Sequence, residues 1–265
     1  MKALAAGVLR KMRSRLETPV AYKIPLGDSE IPVNPLVNTR IKAEYIGKIF
    51  CIDCGRKTKK SFNQGYCYPC FQRLRDWFTC LIHPEKCRCD VGDCMQDHII
   101  YLANSSGLKI GITRATQVPT RWIDQGATQA LAIMRVRSRL QSGILEVMFK
   151  QHVADKTNWR GMLKGVAEPL DMIGEAESLV KACKSEIKEL EESFGSFGIS
   201  ILNGIEPVAI AYPVEKYPEK ITSYNFDKDP IIEDKLLGIK GQYLIFENGV
   251  INLRKFSGYE IRLSC

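Results

Sequence analysis

Ten cysteines occur in the 265 residues, and eight of them fall between Cys51 and Cys94. Cys51 and Cys54 form one C-x-x-C pair and Cys67 and Cys70 another, with 12 residues (55 to 66) between the pairs. Two thiolates two positions apart can wrap one face of a tetrahedral zinc ion, and two such pairs close the site. Gly55, directly after the second cysteine, permits the tight turn that aims backbone N–H groups at sulfur. The interval is below the roughly 15–20 residues usual between such pairs, so it must be a short hairpin. Farther on stand Cys80, Cys87, Cys89 and Cys94, a second all-thiolate set, with His83 and His98 as alternative ligands. Both sites are expected to be structural, since protein ligands fill them.

After Cys67-Tyr68-Pro69-Cys70, residues Phe71 to Phe78 read as a helix. Knuckle, hairpin, knuckle and helix together resemble a treble clef. The hairpin carries the run Arg56-Lys57-Thr58-Lys59-Lys60, whose Lys57, Lys59 and Lys60 could grip phosphate. So many thiols without a secretory signal fit a reducing cytoplasm with metal-bound thiolates better than a secreted disulfide scaffold. No run approaches the ~18 apolar residues that a membrane span needs.

The stretch Ile99 to Thr113, IIYLANSSGLKIGIT, reads as strand, Gly-containing polar turn and strand, a hairpin. Tyr101 lies on its first strand and Lys109-Ile110-Gly111 on its second. Arg121 follows on a short helix, and Glu146 falls on a helix over Ser142 to Val153 with Leu145, Met148, Phe149 and His152 on its apolar stripe. Between them, alternation over Leu131 to Arg137 predicts a strand with Arg135, Arg137 and Arg139 on one face. With Arg114 at the end of the hairpin, such a row could track a phosphate backbone.

Tyr101, Lys109-Ile110-Gly111, Arg121 and Glu146 in this order make residues 97–165 resemble a divergent GIY-YIG nuclease domain. Ile99-Ile100-Tyr101 stands for GIY and Lys109-Ile110-Gly111 for YIG, a KIG form similar to a phage-type branch. Asn158 follows Glu146 by 12 positions, a spacing similar to that of excision-repair incision enzymes of the superfamily. Ile99 replaces the first Gly, Lys109 the second Tyr, and Gln125 a His that many members carry. The resemblance implies phosphodiester hydrolysis with Mg²⁺ or Mn²⁺ on Glu146. It implies Tyr101, or a water that it polarises, as base for the attacking water and Arg121 neutralising the developing charge. Lys109 would lower the pKa of its neighbour or bind phosphate, and Asn158 would orient the Glu146 loop. As a whole the chain also resembles an uncharacterised microbial family of unknown function, in its CGRKTKKSF, YCYPC and YLANSSGLKIGIT segments.

The elements that must hold these residues read as an α+β chain. An N-terminal β segment (1–50), opened by a helical or turn-forming stretch over 1–17, precedes the treble-clef-like zinc module (51–97). A central GIY-YIG-like α/β domain (98–165) and an amphipathic connector (166–204), helical over about Glu175 to Glu192, follow. The connector's Cys183 belongs to its buried stripe. A C-terminal domain (205–265) of six short strands suggests a small β barrel or sandwich. Residues 101–164 carry ten basic and three acidic side chains, +7, whereas 165–265 carry 11 and 17, −6. The most basic part is therefore the hairpin region, as a nucleic-acid-binding surface requires. Two functions fit: a zinc-containing, nucleic-acid-processing hydrolase, or a non-catalytic protein that binds DNA, RNA or a ribosome through a degenerate GIY-YIG fold.

Overall fold

In a computed structural model that describes residues 1–77, 83–90, 92–154, 156–195 and 198–265, the chain is a mixed α+β protein built on antiparallel sheets. It opens with β1 (Ala3–Val8), β2 (Arg13–Arg15), β3 (Ala21–Leu26), β4 (Ser29–Pro32), β5 (Arg40–Phe50) and β6 (Lys57–Thr58), then α1 (Tyr68–Trp77). The hairpin is β7 (His98–Asn104) and β8 (Leu108–Arg114), followed by α2 (Thr120–Asp124), β9 (Gln129–Val136), α3 (Arg139–Phe149) and α4 (Trp159–Lys164). Helices α5 (Met172–Ala182) and α6 (Lys184–Phe194) lead to β10 (Ile199–Ile201) and β11 (Val208–Ala209). The chain ends in β12 (Ile231–Lys240), β13 (Tyr243–Phe246), β14 (Val250–Asn252) and β15 (Tyr259–Ser264).

Two units result. The first comprises Met1–Arg75, Leu163–Gly165 and Ala211–Cys265, the second Asp76–Met162 and Val166–Ile210. In the first, a seven-stranded sheet runs β1-β15-β5-β12-β13-β14, with β6 also on β5. Strand β5 is its hub because Ile41 and Ala43 alternate inward while Arg40 stays exposed. Ala43 lies opposite Ile232 of β12 on one side and Leu263 of β15 on the other. The two ends of the sequence thus share one sheet. The helix or turn expected over 1–17 is instead strand β1, because Ala3–Val8 completes the edge of β15. Of the six C-terminal strand candidates, Ile221 to Tyr224 contributes only a bridge between Ser223 and Val250.

In the second unit the sheet runs β10-β9-β7-β8, with β11 also on β9. Every residue of β7 is buried, as expected of a central strand. Ile100, Leu102 and Ile110 pack with Leu145 and Phe149 of α3, with Met172 and Leu179 of α5, with Ile187 of α6 and with Cys183 between those two helices. Each such side chain contributes roughly 1.5–3 kcal/mol when fully buried. The stretch expected as a connector is therefore part of this core, and its single helix is two, broken at the fully buried Cys183. Helix α3 begins earlier than the periodicity suggests, because Ser138 and Gln141 form a capping box. It also ends earlier, so that His152 is exposed in the following turn.

Candidate metal centres and hairpin site

Strand β5 delivers Cys51 into the first cluster, and β6 folds back on Ile49 and Phe50 as the short hairpin. The knuckle closes through Gly55 N to Cys51 O (3.0 Å) and Cys51 N to Arg56 O (2.8 Å), with Gly55 at φ +71°. The second pair opens α1, where Phe71 N donates to Cys67 O at 2.9 Å. The Sγ atoms of Cys51, Cys54, Cys67 and Cys70 all lie within 4.8 Å of one another. Zn–S bonds of about 2.3 Å require tetrahedral edges of about 3.8 Å. The Cys54–Cys67 edge is 3.8 Å. All nine described cysteines are free thiols, so no disulfide competes for these ligands. Burial disfavours ionisation of Cys51, but the amides of Cys54, Cys67 and Asp53 outweigh it and bring its pKa down to about 6. Arg73 reaches back from α1, donating to Cys70 Sγ at 2.9 Å and pairing with Asp53 at 3.2 Å. A guanidinium here offsets part of the negative charge that four thiolates bring to one zinc.

The second cluster brings Cys87, Cys89 and Cys94 together, again with Sγ atoms within 4.8 Å of one another. Cys87 ends a short 3₁₀ turn over Pro84–Lys86, and Cys94 lies in another over Gly92–Met95. Cys80, the fourth ligand expected from sequence, lies outside the described residues. His83 is half exposed with Nδ1 3.1 Å from Glu85. His98 is fully buried on β7, its Nδ1 2.7 Å from Gln96 O, and its Nε2 has no hydrogen-bond partner among the described residues. Burial depresses its pKa, the nearby Arg139 and Arg114 guanidinium groups adding to the effect. The segment that leads into the second cluster rests on α3, where Gly143 meets the Pro84–Glu85 backbone so closely that a Cβ would overlap it.

The hairpin pairs Tyr101 with Gly111 and Ala103 with Lys109. Tyr101 is fully buried, its ring 5.9 Å from that of Trp122 on α2. Its hydroxyl donates to Gln125 Oε1 at 2.9 Å. Burial raises the phenol pKa, and Arg121 and Gln125 oppose the shift while the Glu146 carboxylate reinforces it. Arg121 of α2 and Glu146 of α3 are thus the charged groups that act on the Tyr101 hydroxyl. Glu146, largely buried, pairs with Lys150 one turn along α3 at 3.4 Å. Lys109 is 3% exposed, an unusual burial for an amine on an edge strand. Sequence reasoning placed a His equivalent at Gln125 but missed its role as the acceptor for Tyr101. Asn158 is engaged elsewhere: its Oδ1 accepts from Gly161 N at 3.1 Å and caps α4.

The basic residues do not form the expected row. Strand β9 ends at Val136, so Arg137 lies beyond it and Arg139 opens α3. Arg135 pairs with Asp97, and Arg114 with Asp93. Lys57, Lys59 and Lys60 are exposed on the β6 hairpin.

These features define a mixed α+β protein with two cysteine clusters that could hold metal. The chain belongs to the family described as protein of unknown function (DUF2797), whose model matches residues 38–261. No curated protein and no solved structure gives a significant match. Among the described residues no helix is long and apolar enough to cross a membrane.

Proposed function

We propose that the chain is a nucleic-acid-processing protein with a GIY-YIG-like, divalent-metal-dependent phosphodiester hydrolase centre and structural zinc sites. The observation that carries this is the buried Tyr101 of β7, which packs on Trp122 of α2 and donates to Gln125 at the end of that helix, with Arg121 of α2 and Glu146 of α3 as its charged neighbours. Arg121 is the group suited to neutralise charge on a phosphate, through its planar fork. Glu146 is the carboxylate for Mg²⁺ or Mn²⁺, and one carboxylate suffices for an ion that keeps waters and binds substrate phosphate. Such an ion supplies Lewis-acid stabilisation and lowers the pKa of bound water. Tyr101, buried with its hydroxyl donating to Gln125, would act on the attacking water directly or through a water that it polarises.

The donation of Tyr101 to Gln125 favours a second reading, in which the fold binds DNA, RNA or a ribosome without turnover. Incubation of the full chain with structured and single-stranded nucleic acids, with and without Mg²⁺ or Mn²⁺, separates the two. The hydrolase predicts metal-dependent cleavage that Glu146→Ala abolishes. Salt-dependent binding that Glu146→Ala leaves intact, with no substrate cleaved, selects the non-catalytic reading.

A further inference from the structure

The zinc module carries three aromatic rings that its metal core does not use. The described core of the module is Cys51, Cys67 and Cys70 with Tyr66 against them. Phe62, Tyr68 and Phe71 cluster beside it. Phe62 lies 5.3 Å from Tyr68 and 5.8 Å from Phe71 between ring centroids, nearly parallel to the latter at 17°. Yet Tyr68 is 49% exposed, and Phe62 and Phe71 are only partly buried. The Nζ of Lys60 stands 5.4 Å over the Phe62 ring, and Gln72 Nε2 donates to Tyr68 Oη at 3.0 Å, steadying the exposed ring. Exposed Lys59 and Lys60 follow β6, while the acidic Asp53 of the module is paired with Arg73.

Rings at the surface with amines beside them have the composition of a single-strand binding platform. Every base offers a π-face to stack, and cations follow the backbone. A duplex hides those faces and offers this surface its phosphates alone. We propose that the exposed Tyr68 ring, backed by Phe62, forms a stacking platform for the bases of single-stranded nucleic acid, with Lys59 and Lys60 on its phosphates. The proposal rests on the reading that the chain acts on nucleic acid, but not on the hydrolase centre.

The test measures fluorescence anisotropy of a labelled mixed-sequence oligonucleotide of about 20 nucleotides, as RNA and as DNA, single-stranded and as duplex, with the full zinc-loaded chain. Expected is tighter binding of the single strand, weakened about tenfold by Tyr68→Ala and restored by Tyr68→Trp, with duplex binding changed less than about twofold. Lys59→Ala with Lys60→Ala should lower the slope of log K against log salt by about 1–2. Zinc content, measured on each variant, should stay at the parent value because Tyr68 is exposed. Single-strand binding unchanged in Tyr68→Ala, an equal loss on duplex, a loss that Tyr68→Trp does not restore, or no binding at all overturns the platform. Tyr68-dependent binding without Glu146-dependent cleavage keeps the platform and removes the hydrolase. Glu146-dependent cleavage with Tyr68-independent binding does the reverse.

Discussion

Gly111 lies directly across the sheet from Tyr101, so close beneath it that a Cβ would stand 2.6 Å from the tyrosine hydroxyl oxygen. The glycine of the Lys109-Ile110-Gly111 segment is therefore the floor on which the Tyr101 ring rests, while the hydroxyl donates to Gln125. Gly111→Ala should cost about 1–3 kcal/mol, the usual range for overpacking a core. Removing the hydroxyl oxygen as well, in Gly111→Ala with Tyr101→Phe, should recover part of that loss. A double-mutant cycle by denaturant unfolding reads the coupling, and purely additive effects would contradict the contact.

Metal analysis of the purified chain should find about two zinc ions. Cys54→Ser and Cys87→Ser should each lower the content by about one ion, from different sites. Because the ligands bind as thiolates, uptake releases protons and affinity falls as pH drops. Fewer than about two ions in the parent chain would remove the second site.

Gly143 couples the second cluster to α3. Gly143→Val pushes into the backbone of Pro84 and Glu85, which cannot rotate aside. It should destabilise the chain by about 1–3 kcal/mol and lower zinc in the second site while the first stays loaded. Equal zinc content in parent and variant would count against this coupling.

Lys240 is fully buried, its Nζ donating to Gly165 O at 2.8 Å between the rings of Tyr212 and Tyr217. Burial lowers its pKa from 10.5 to about 8. Between those two values the unfolded chain still holds a proton that the folded chain has released, so stability contributed by Lys240 rises with pH. Relative to Lys240→Met, the parent should gain up to about 3 kcal/mol between pH 8 and 10.5. A stability difference that stays flat over that range would contradict the depressed pKa.

What could be read from the sequence was what is local along the chain. Cys51 and Cys54, like Cys67 and Cys70, sit on one turn whatever the rest does, and the Tyr101 strand and its return through Gly111 are a single hairpin. Pairings between distant positions were invisible. The charge of Arg135 meets Asp97 and that of Arg114 meets Asp93, 38 and 21 positions away, which no strand alternation reveals. Gln125 lies 24 residues from the hydroxyl it accepts. Lys240 finds its acceptor 75 residues back, and β5 recruits partners from β12 and β15. The break at Cys183 was hidden because helical periodicity continues on both sides of it.

The hydrolase is tested most directly by the rate of phosphodiester cleavage at saturating Mg²⁺ or Mn²⁺ for the parent chain and for Glu146→Ala, with zinc content matched. Loss of the carboxylate proposed to hold the catalytic ion would remove several kcal/mol of charge stabilisation, so the rate should fall by at least about 100-fold. A Glu146→Ala rate within about threefold of the parent, or no metal-dependent cleavage by the parent chain on any substrate, would contradict it.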